Sequence, residues 1–485
     1  MDALIAFRAL QGWGGGGLFA TSVTILGLLY PPRERGRIQG VFGAVFGLAS
    51  VVGPWVGGLL TDHLSWRWVF YVNMPVGAVA LYFLVRHMPR LDPPRRAAFD
   101  PLGALTLALW AVPLILAFSW GGSTYPWNSP RILGLLALAA AGLVLFAAVE
   151  RRHPQPLFDL SLWGNPTFRW ASLAVLCFGG TFLGAVMFLP LYLVQVKGFS
   201  ASHSGLSLTP LTLGVVAGSF LSGQLAVRLG RYKPLLLAGA AGTLAVLALF
   251  RARLAVDTPL GQVLALTVLL GACFGPSMPL YTLAVQNAVP RERMGTASSA
   301  IQLFRQMGST LAVALMGTVL AGTLQTELPR RLPEPYRMWA AAVPAVRGEV
   351  ASLNLEDPLQ AAVGQVRERL ERALEGDREA YRALQEDPRV PEALKRLLPP
   401  GGIPEPARQE ALARIRAELD RRAHEAAQAL RGALNEALTE AVRRAFGYAW
   451  LLGLLGTLAL LPLPDQRLKS RQELQPSGAW SWERE

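Results

Sequence analysis

The chemically distinctive residues of this sequence are polar side chains that lie within long apolar segments. Arg8 and Gln11 are three residues apart, so a helix would carry them on one face, and Arg305 and Gln306 are adjacent. An arginine inside a membrane costs about 2.5–3.5 kcal/mol on insertion scales, so it usually faces a cavity or a partner. Two interpretations of each arginine stay open. Arg8 either faces a cavity or reaches the outer interface, and Arg305 either lines a path or anchors the inner leaflet.

The second apolar segment combines small residues with a proline. Glycines recur with a spacing of four in the pairs 43/47 and 53/57, and such pairs let helix backbones approach closely in lipid. A proline inside a helix removes a backbone hydrogen bond and bends the helix. The pattern predicts either ordinary helix packing or a sliding contact between bundles that move. Its residues are Gly47, Gly53, Pro54, Gly57 and Gly58.

Enzymatic chemistry has no candidate residues in this sequence. No nucleophile–base set, metalloprotease motif or phosphate-binding loop occurs, so we predict no catalytic residue and no enzyme. Cys177 and Cys273 each lie in an apolar segment and predict packing, so we expect no metal and no cofactor. Acidic residues and histidines are almost absent from the segments. Their interior polar residues are Gln11, Gln195, Gln286, Asn287, Gln302, Arg305 and Gln306.

The elements that must position these residues are membrane-spanning helices. The chain is 52% hydrophobic and only 16% charged, with a mean hydropathy of +0.34, whereas soluble domains carry about 25% charged residues. Its apolar blocks have the length, about 20 residues, that crosses a bilayer as a helix. We therefore predict an all-α, polytopic transmembrane helical bundle. Its eleven predicted spans are 3–29, 38–61, 68–87, 101–120, 131–149, 169–195, 204–227, 234–252, 259–288, 296–323 and 446–463.

The basic residues of the loops predict the topology. Alternate loops and the C-terminal tail carry eighteen lysines and arginines, whereas the opposite short loops carry five. The positive-inside rule therefore places the richer set and the C-terminus in the cytoplasm of a multi-pass inner-membrane protein, and the first span begins outside. The net charge of +13 is then explained by topology and by anionic membrane lipids, so we expect no nucleic-acid partner.

A charged stretch at 325–445 separates the last two spans and faces outward by parity. Its second half has apolar residues every three or four positions that run into the last span, which predicts one continuous helix. The stretch is either a solvated helical hairpin that packs on itself or a docking module for an extracytoplasmic partner.

Several of these motifs together resemble the major facilitator superfamily, in particular its fourteen-span drug:proton antiporter branch. The run from Arg8 to Gly12 resembles the motif called B, and Gly47 to Gly58 resembles motif C, the antiporter motif. The segment from Trp66 to Gly77 is similar to the one that follows motif C in that branch. Further similar runs are Ser119–Gly122, Trp127–Pro130, Glu150–Leu157, Gly295–Ala297 and Arg305–Gly308.

This resemblance implies the major facilitator fold and proton-coupled efflux of lipophilic or cationic drugs, with protons and a lipophilic small molecule as partners. It implies proton coupling for Arg8 and Gln11. It also implies that three spans normally precede the one with motif B, so we expect that this chain lacks them. The expected division begins with a remainder of the N-terminal bundle at 1–87, two linking spans with a linker at 88–165 and a C-terminal bundle at 166–324. The charged stretch at 325–445, called the insert below, the last span at 446–464 and a cytoplasmic tail at 465–485 follow.

One loop departs from the family pattern. The run from Gly223 to Lys233 resembles motif A, but Val227 stands where the family usually has an aspartate that pairs with nearby arginines. The candidate cavity or gate residues are Arg228, Arg231, Arg305 and Gln306. The alternative to drug efflux is a truncated or divergent member that moves a native metabolite or lipid, or that is inactive as this chain alone.

Overall fold

A computed structural model describes residues 2–88, 100–122, 124–153, 156–199, 208–332, 368–369, 372–373, 377–386 and 407–468. Within these ranges the secondary structure is helical apart from one isolated bridge between Gly121 and Tyr125. This confirms the predicted all-α fold. The helices are α1 Asp2–Leu29, α2 Pro32–His63, α3 Trp68–Tyr71, α4 Asn73–His87, α5 Pro101–Trp120, α6 Pro130–Arg152, α7 Pro166–Gln195, α8 Thr209–Leu229, α9 Lys233–Arg253, α10 Leu260–Phe274, α11 Ser277–Ala288, α12 Met294–Arg331, α13 Arg378–Glu386 and α14 Ala407–Leu460.

Proline and a capping side chain fix where several helices begin. Helices α5, α6 and α7 each have proline in the first turn, where no backbone N–H is needed. The side chains of Asp100, Ser129 and Asn165 accept hydrogen bonds from first-turn backbone N–H groups of these helices. Asn165 also donates to the Ala288 carbonyl at 2.8 Å, so it ties the start of α7 to the end of α11.

Nine helical segments of the described ranges are long and apolar enough to cross a membrane. They run Leu4–Leu29, Trp68–His87, Pro101–Trp120, Pro130–Arg152, Pro166–Gln195, Thr209–Leu229, Lys233–Arg253, Leu260–Ala288 and Arg291–Arg331. The other two of the eleven predicted spans, 38–61 and 446–463, lie in the glycine-rich helix α2 and at the end of α14. The chain is therefore a polytopic helical bundle.

The chain divides into two compact units. One comprises Met1–Gly317 together with Arg443–Glu485, and the other comprises Thr318–Val442. In the second unit Arg331 forms an ion pair with Glu436 at 2.8 Å, and Asp377 caps α13 through the backbone N–H of Glu379. Helix α14 runs without interruption from the insert into the last predicted span, as the apolar periodicity predicts. Most of 333–406 and the tail beyond 468 lie outside the described residues.

The core of the first unit is built on α7, α9, α11 and α12. Its fully buried residues include Phe168, Tyr232 and Tyr281. The hairpin of α5 and α6 joins this core through Trp110 and Phe146, which pack against Leu303 and Met307 of α12 and other apolar residues. These contacts hold α12 between the hairpin and α7.

Helices α2 and α8 approach each other at glycine. A Cβ added at Gly40 would lie 2.9 Å from the Ser219 carbonyl oxygen, and one at Gly47 would lie 2.6 Å from the Val216 side chain. Side chains at these positions would force the helices apart. The first half of α2 is therefore held against α8 at backbone distance.

Candidate functional site

A cavity of about 250 Å³ lies among helices of the first unit. On one side it is lined by α1 and α2, and on the other by α7, α10, α11 and α12. Its lining residues are Phe19, Ala20, Val23, Gln39, Phe42, Gly43, Phe46, Gly179, Phe182, Leu183, Phe274, Met278, Pro279, Thr282, Ser298, Gln302, Arg305, Gln306 and Ser309. Apolar pockets with a few convergent polar groups are typical of small-molecule sites.

Aromatic rings form two walls of this cavity. The Phe19 ring packs edge-on against Phe42, with ring centroids 5.5 Å apart, and against Phe46 at 6.0 Å. On the other side Phe182 stacks on Phe274, with centroids 4.4 Å apart and an interplanar angle of 16°. Walls of this kind suit flat lipophilic molecules because ring faces bury large apolar areas in defined geometry.

Arg305 is the only charged residue among the described lining residues. Its guanidinium lies 3.3 Å from the Met278 carbonyl oxygen and 3.5 Å from both the Ser277 carbonyl oxygen and the Met278 sulfur. None of these partners is an anion. The residue begins the fourth turn of α12, about 17 Å along the axis from Met294 at 1.5 Å per residue. Arg305 lines the cavity, and whether it lines a path or anchors the inner leaflet stays a prediction.

Glycine packing between α7 and α12 positions Arg305. A Cβ at Gly179 would lie 2.5 Å from the Arg305 carbonyl oxygen, and one at Gly308 would overlap the Leu176 carbonyl. A Cβ at Gly180 would lie 2.6 Å from the Ala312 side chain. The backbone that carries Arg305 is therefore pressed against α7 and cannot turn the side chain away from the cavity without separating the two helices.

A buried amide network lies at one end of the cavity. Gln286 is 1% exposed. Its Nε2 donates to the Ser298 hydroxyl at 2.9 Å and to the Val23 carbonyl at 3.2 Å, and its Oε1 accepts from Gln39 Nε2 at 2.8 Å. The network joins α1 and α2 to α11 and α12. By the predicted topology all four helices have their cytoplasmic ends nearby, so the network lies between the cavity and the cytoplasm.

A basic side chain supports this network. Arg35 is 2% exposed, and it donates to the Tyr30 carbonyl at 2.7 Å and to the Gln286 carbonyl at 3.5 Å. Gln39 Oε1 has no hydrogen-bond partner among the described residues. The closure at this end is therefore made of neutral amides and backbone carbonyls with one arginine.

The sequence-predicted site residues do not all meet at the cavity. Arg305 and Gln306 line it, and Arg8 and Gln11 do not. The Arg8 guanidinium is exposed, donates to Gln11 Oε1 at 2.9 Å and lies 6.0 Å from the centre of the Phe70 ring. The predicted shared face of Arg8 and Gln11 is present, and their role in proton coupling stays a prediction.

The glycine–proline pattern separates into two halves. Gly47 packs against α8, whereas a Cβ at Gly53, Gly57 or Gly58 would meet no described atom within 4 Å. The Pro54 side chain lies outside the described part of the chain. Sequence reasoning missed Gly36 and Gly40, which extend the contact with α8, although their spacing continues the register of Gly43 and Gly47.

Arg228 and Arg231 do not line the cavity, in contrast to Arg305 and Gln306. Arg228 is exposed, and Arg231 forms an ion pair with Asp465 at 3.2 Å. Next to it the Tyr232 hydroxyl donates to the Pro464 carbonyl at 3.1 Å, and burial raises the pKa of Tyr232 to about 12. The loop after α8 thus binds the segment after α14. The sequence predicted no acidic partner for this loop, because Val227 stands where the family usually has an aspartate.

The described residues contain no group of three or more histidine, cysteine or acidic side chains arranged to hold a metal ion. Cys177 and Cys273 are free thiols. What the cavity offers is shape, aromatic surface, amides and one guanidinium, and these features suit the binding of a small molecule.

The sequence matches known proteins over most of its length. Residues 1–313 match the family model described as the Major Facilitator Superfamily. The chain is 37% identical over 333 residues to the multidrug transporter protein MdtP of Bacillus subtilis, covering 67% of this chain and 61% of that protein. It is 36% identical over 328 residues to multidrug resistance protein 3 of the same organism, covering 68% and 64%.

A third relative is an uncharacterized MFS-type transporter, Rv1877, of Mycobacterium tuberculosis. It is 39% identical over 364 residues, which cover 75% of this chain and 52% of that protein. The chain thus spans between half and two thirds of these relatives' lengths. MdtP and Rv1877 are named as transporters, in agreement with the prediction that the chain is not an enzyme. With a family match over residues 1–313, the chain belongs to the Major Facilitator Superfamily.

Proposed function

We propose that this protein exports lipophilic compounds across the inner membrane in exchange for protons. The aromatic cavity carries the proposal. It lies between α1 and α2 on one side and α7, α10, α11 and α12 on the other, and the Gln286 network lies at one end of it. In transport by alternating access, a central binding site opens to one side of the membrane at a time, and this cavity could serve as such a site. Apart from the Arg35 bond to the Gln286 carbonyl, the contact is made of neutral hydrogen bonds and glycine backbones, which can break and re-form at small cost compared with a buried ion pair.

The proposal includes membership of the fourteen-span antiporter branch. Three further spans would then pack on surfaces that are open in this chain, namely the face of α2 with Gly53 and Gly57 and the exposed first half of α1. The chain covers 61% and 64% of the length of the two multidrug relatives. In it, Arg8 and Gln11 belong to the proton pathway, the C-terminus is cytoplasmic, and anionic lipids meet the basic loops.

Transport into proteoliposomes tests the proposal. The purified chain is reconstituted with an imposed pH gradient, and movement of two lipophilic dyes, neutral Nile red and anionic 8-anilinonaphthalene-1-sulfonate, is followed by fluorescence. We expect dye to move against the proton flux and to stop when a protonophore collapses the gradient. Protein-free liposomes are the control. Movement of neither dye above that control would refute the proposal for this chain.

A second candidate function is transport of a native metabolite or lipid, without drug efflux. The absence of any carboxylate among the described cavity residues favours it, because lipophilic cations are commonly held by acidic groups. Dye movement that is independent of the pH gradient, or absent while a native lipid or metabolite moves, would favour this second function.

A further inference from the structure

We propose that Arg305 binds an acidic group of the transported molecule, so that the cavity selects flat lipophilic anions. The inference rests on the proposed function, since it takes the cavity as the transport site, and it names the substrate class. The family resemblance implies lipophilic or cationic compounds, whereas the charged group of this cavity is a cation.

Arg305 has no counter-ion among the described residues. Its hydrogen bonds to oxygen go to the Ser277 and Met278 carbonyls at 3.5 and 3.3 Å, and both distances exceed those of strong charge-assisted hydrogen bonds. No acidic side chain forms an ion pair with Arg305 within the described ranges, and none lines the cavity there. Of the five N–H donors of the guanidinium, three make these long contacts to two carbonyl oxygens and a sulfur, and the others are left for a ligand.

The charge of Arg305 lies inside a long apolar segment. Arg305 is about 17 Å along α12 from Met294, within the segment Arg291–Arg331 that is apolar enough to cross a membrane. A cation there is costly unless it is paired or hydrated. A carboxylate, sulfonate or phosphate entering the cavity would supply that pair, whereas an ammonium group would be repelled.

Of the polar groups beside Arg305, Gln302 can also contact an acidic ligand. Gln302 and Ser309 lie one turn before and one turn after Arg305 on α12, and both line the cavity. The Gln302 amide can donate to an acidic group, whereas the Ser309 hydroxyl donates to the Gln306 carbonyl at 2.7 Å and has no hydrogen left for an anion. The Phe182–Phe274 stack shares the same cavity. A ring with one acidic group fits this combination.

Three naphthyl compounds of similar size test the assignment: 1-naphthaleneacetate, its neutral amide, and 2-(1-naphthyl)ethylamine. Binding to the purified full chain is measured by equilibrium dialysis. We expect the acetate to bind about tenfold more tightly than the amide, the range of one charged hydrogen-bonded contact, and the amine to bind most weakly. Arg305→Gln should remove the preference while the affinity for the amide changes less than about twofold, and Arg305→Lys should keep part of it.

Arg131→Gln is the matched control, because this arginine is exposed and lies outside the cavity. Its preference for the acetate should equal that of the wild type. Equal affinities of the wild type for all three compounds, or a preference that persists in Arg305→Gln, would overturn the inference. If Arg305→Gln does not fold, Arg305→Lys decides, since a guanidinium-specific contact predicts a weakened preference and a purely structural arginine predicts an unchanged one.

The same compounds separate this inference from the proposed function. Gradient-driven transport of the amide or the amine with no binding or transport of the acetate would refute the anion selectivity and keep the exporter. Selective binding of the acetate with no gradient-driven movement of any compound would keep the anion site and refute the exporter.

Discussion

Replacement of Gln286 by leucine should open the proposed cytoplasmic side of the cavity. The substitution keeps most of the side-chain volume but removes the two hydrogen bonds, at 2.8 and 3.2 Å, that join α2 and α1 to α11. The third bond that it removes, to Ser298 at 2.9 Å, joins α11 to α12 and does not cross the contact. At about 1 kcal/mol for each neutral hydrogen bond across the contact, the closed arrangement loses about 2 kcal/mol. This corresponds to about a thirtyfold shift of the equilibrium toward opening.

Thiol labelling measures this shift. Thr282 lines the cavity, and Thr282→Cys is introduced into a background in which Cys177 and Cys273 are alanine. Inside-out vesicles are treated with a membrane-impermeant methanethiosulfonate, and the labelling rate is compared with and without Gln286→Leu. When opening is rapid compared with labelling, we expect the rate to rise by up to about thirtyfold.

The control is Gln262→Leu, the same substitution at a half-buried glutamine near the start of α10. Gln262 and Gln286 lie at opposite ends of the membrane segment Leu260–Ala288. It should leave the labelling rate unchanged. Equal rates in both variants would show that the Gln286 network does not close the cavity. A rise in both variants would indicate general loosening of the bundle and would equally contradict the reasoning.

Three further predictions concern stability, measured by thermal unfolding in detergent. Gly40→Ala should destabilise the chain by about 1–3 kcal/mol through overpacking against α8, whereas Gly134→Ala, where a Cβ meets no described atom within 4 Å, should not. Asn165→Ala should cost about 1–2 kcal/mol, because it removes the cap of α7 and the bond to α11. Asp465→Asn should change stability by less than about 1 kcal/mol, because its ion pair with Arg231 is partly exposed. The packing described above would be contradicted by equal effects of the two glycine substitutions on stability. It would also be contradicted if Asn165→Ala caused no loss of stability, or if Asp465→Asn caused a large one.

The sequence predicts the elements of this fold well because its spans are single apolar blocks with proline at their starts. It does not predict which helices touch. Gly36 and Gly40 continue the register of Gly43 and Gly47, but only the structure places Gly223 and Ser219 of α8 opposite them. The pairing joins segments about 180 residues apart, and periodicity within one helix carries no information about its partner.

The candidate site was predicted in part. Arg305 and Gln306 stand out in the sequence because a charged group in an apolar segment is costly, and the structure places both at the cavity. Gln286 was one of several interior amides with nothing to distinguish it. Its role depends on Gln39, 247 positions away, and on Ser298. The pairing of Arg231 with Asp465 was equally hidden, since the two residues are 234 positions apart.

The most direct test of the account is to block the cavity during transport. Thr282→Cys in the background without native cysteines is reconstituted in proteoliposomes, and gradient-driven movement of Nile red is measured before and after reaction with a bulky maleimide. We predict that modification stops transport, that excess dye protects the thiol, and that the unmodified variant transports normally. Transport that continues at the same rate after complete modification would contradict the claim that this cavity is the route through the protein.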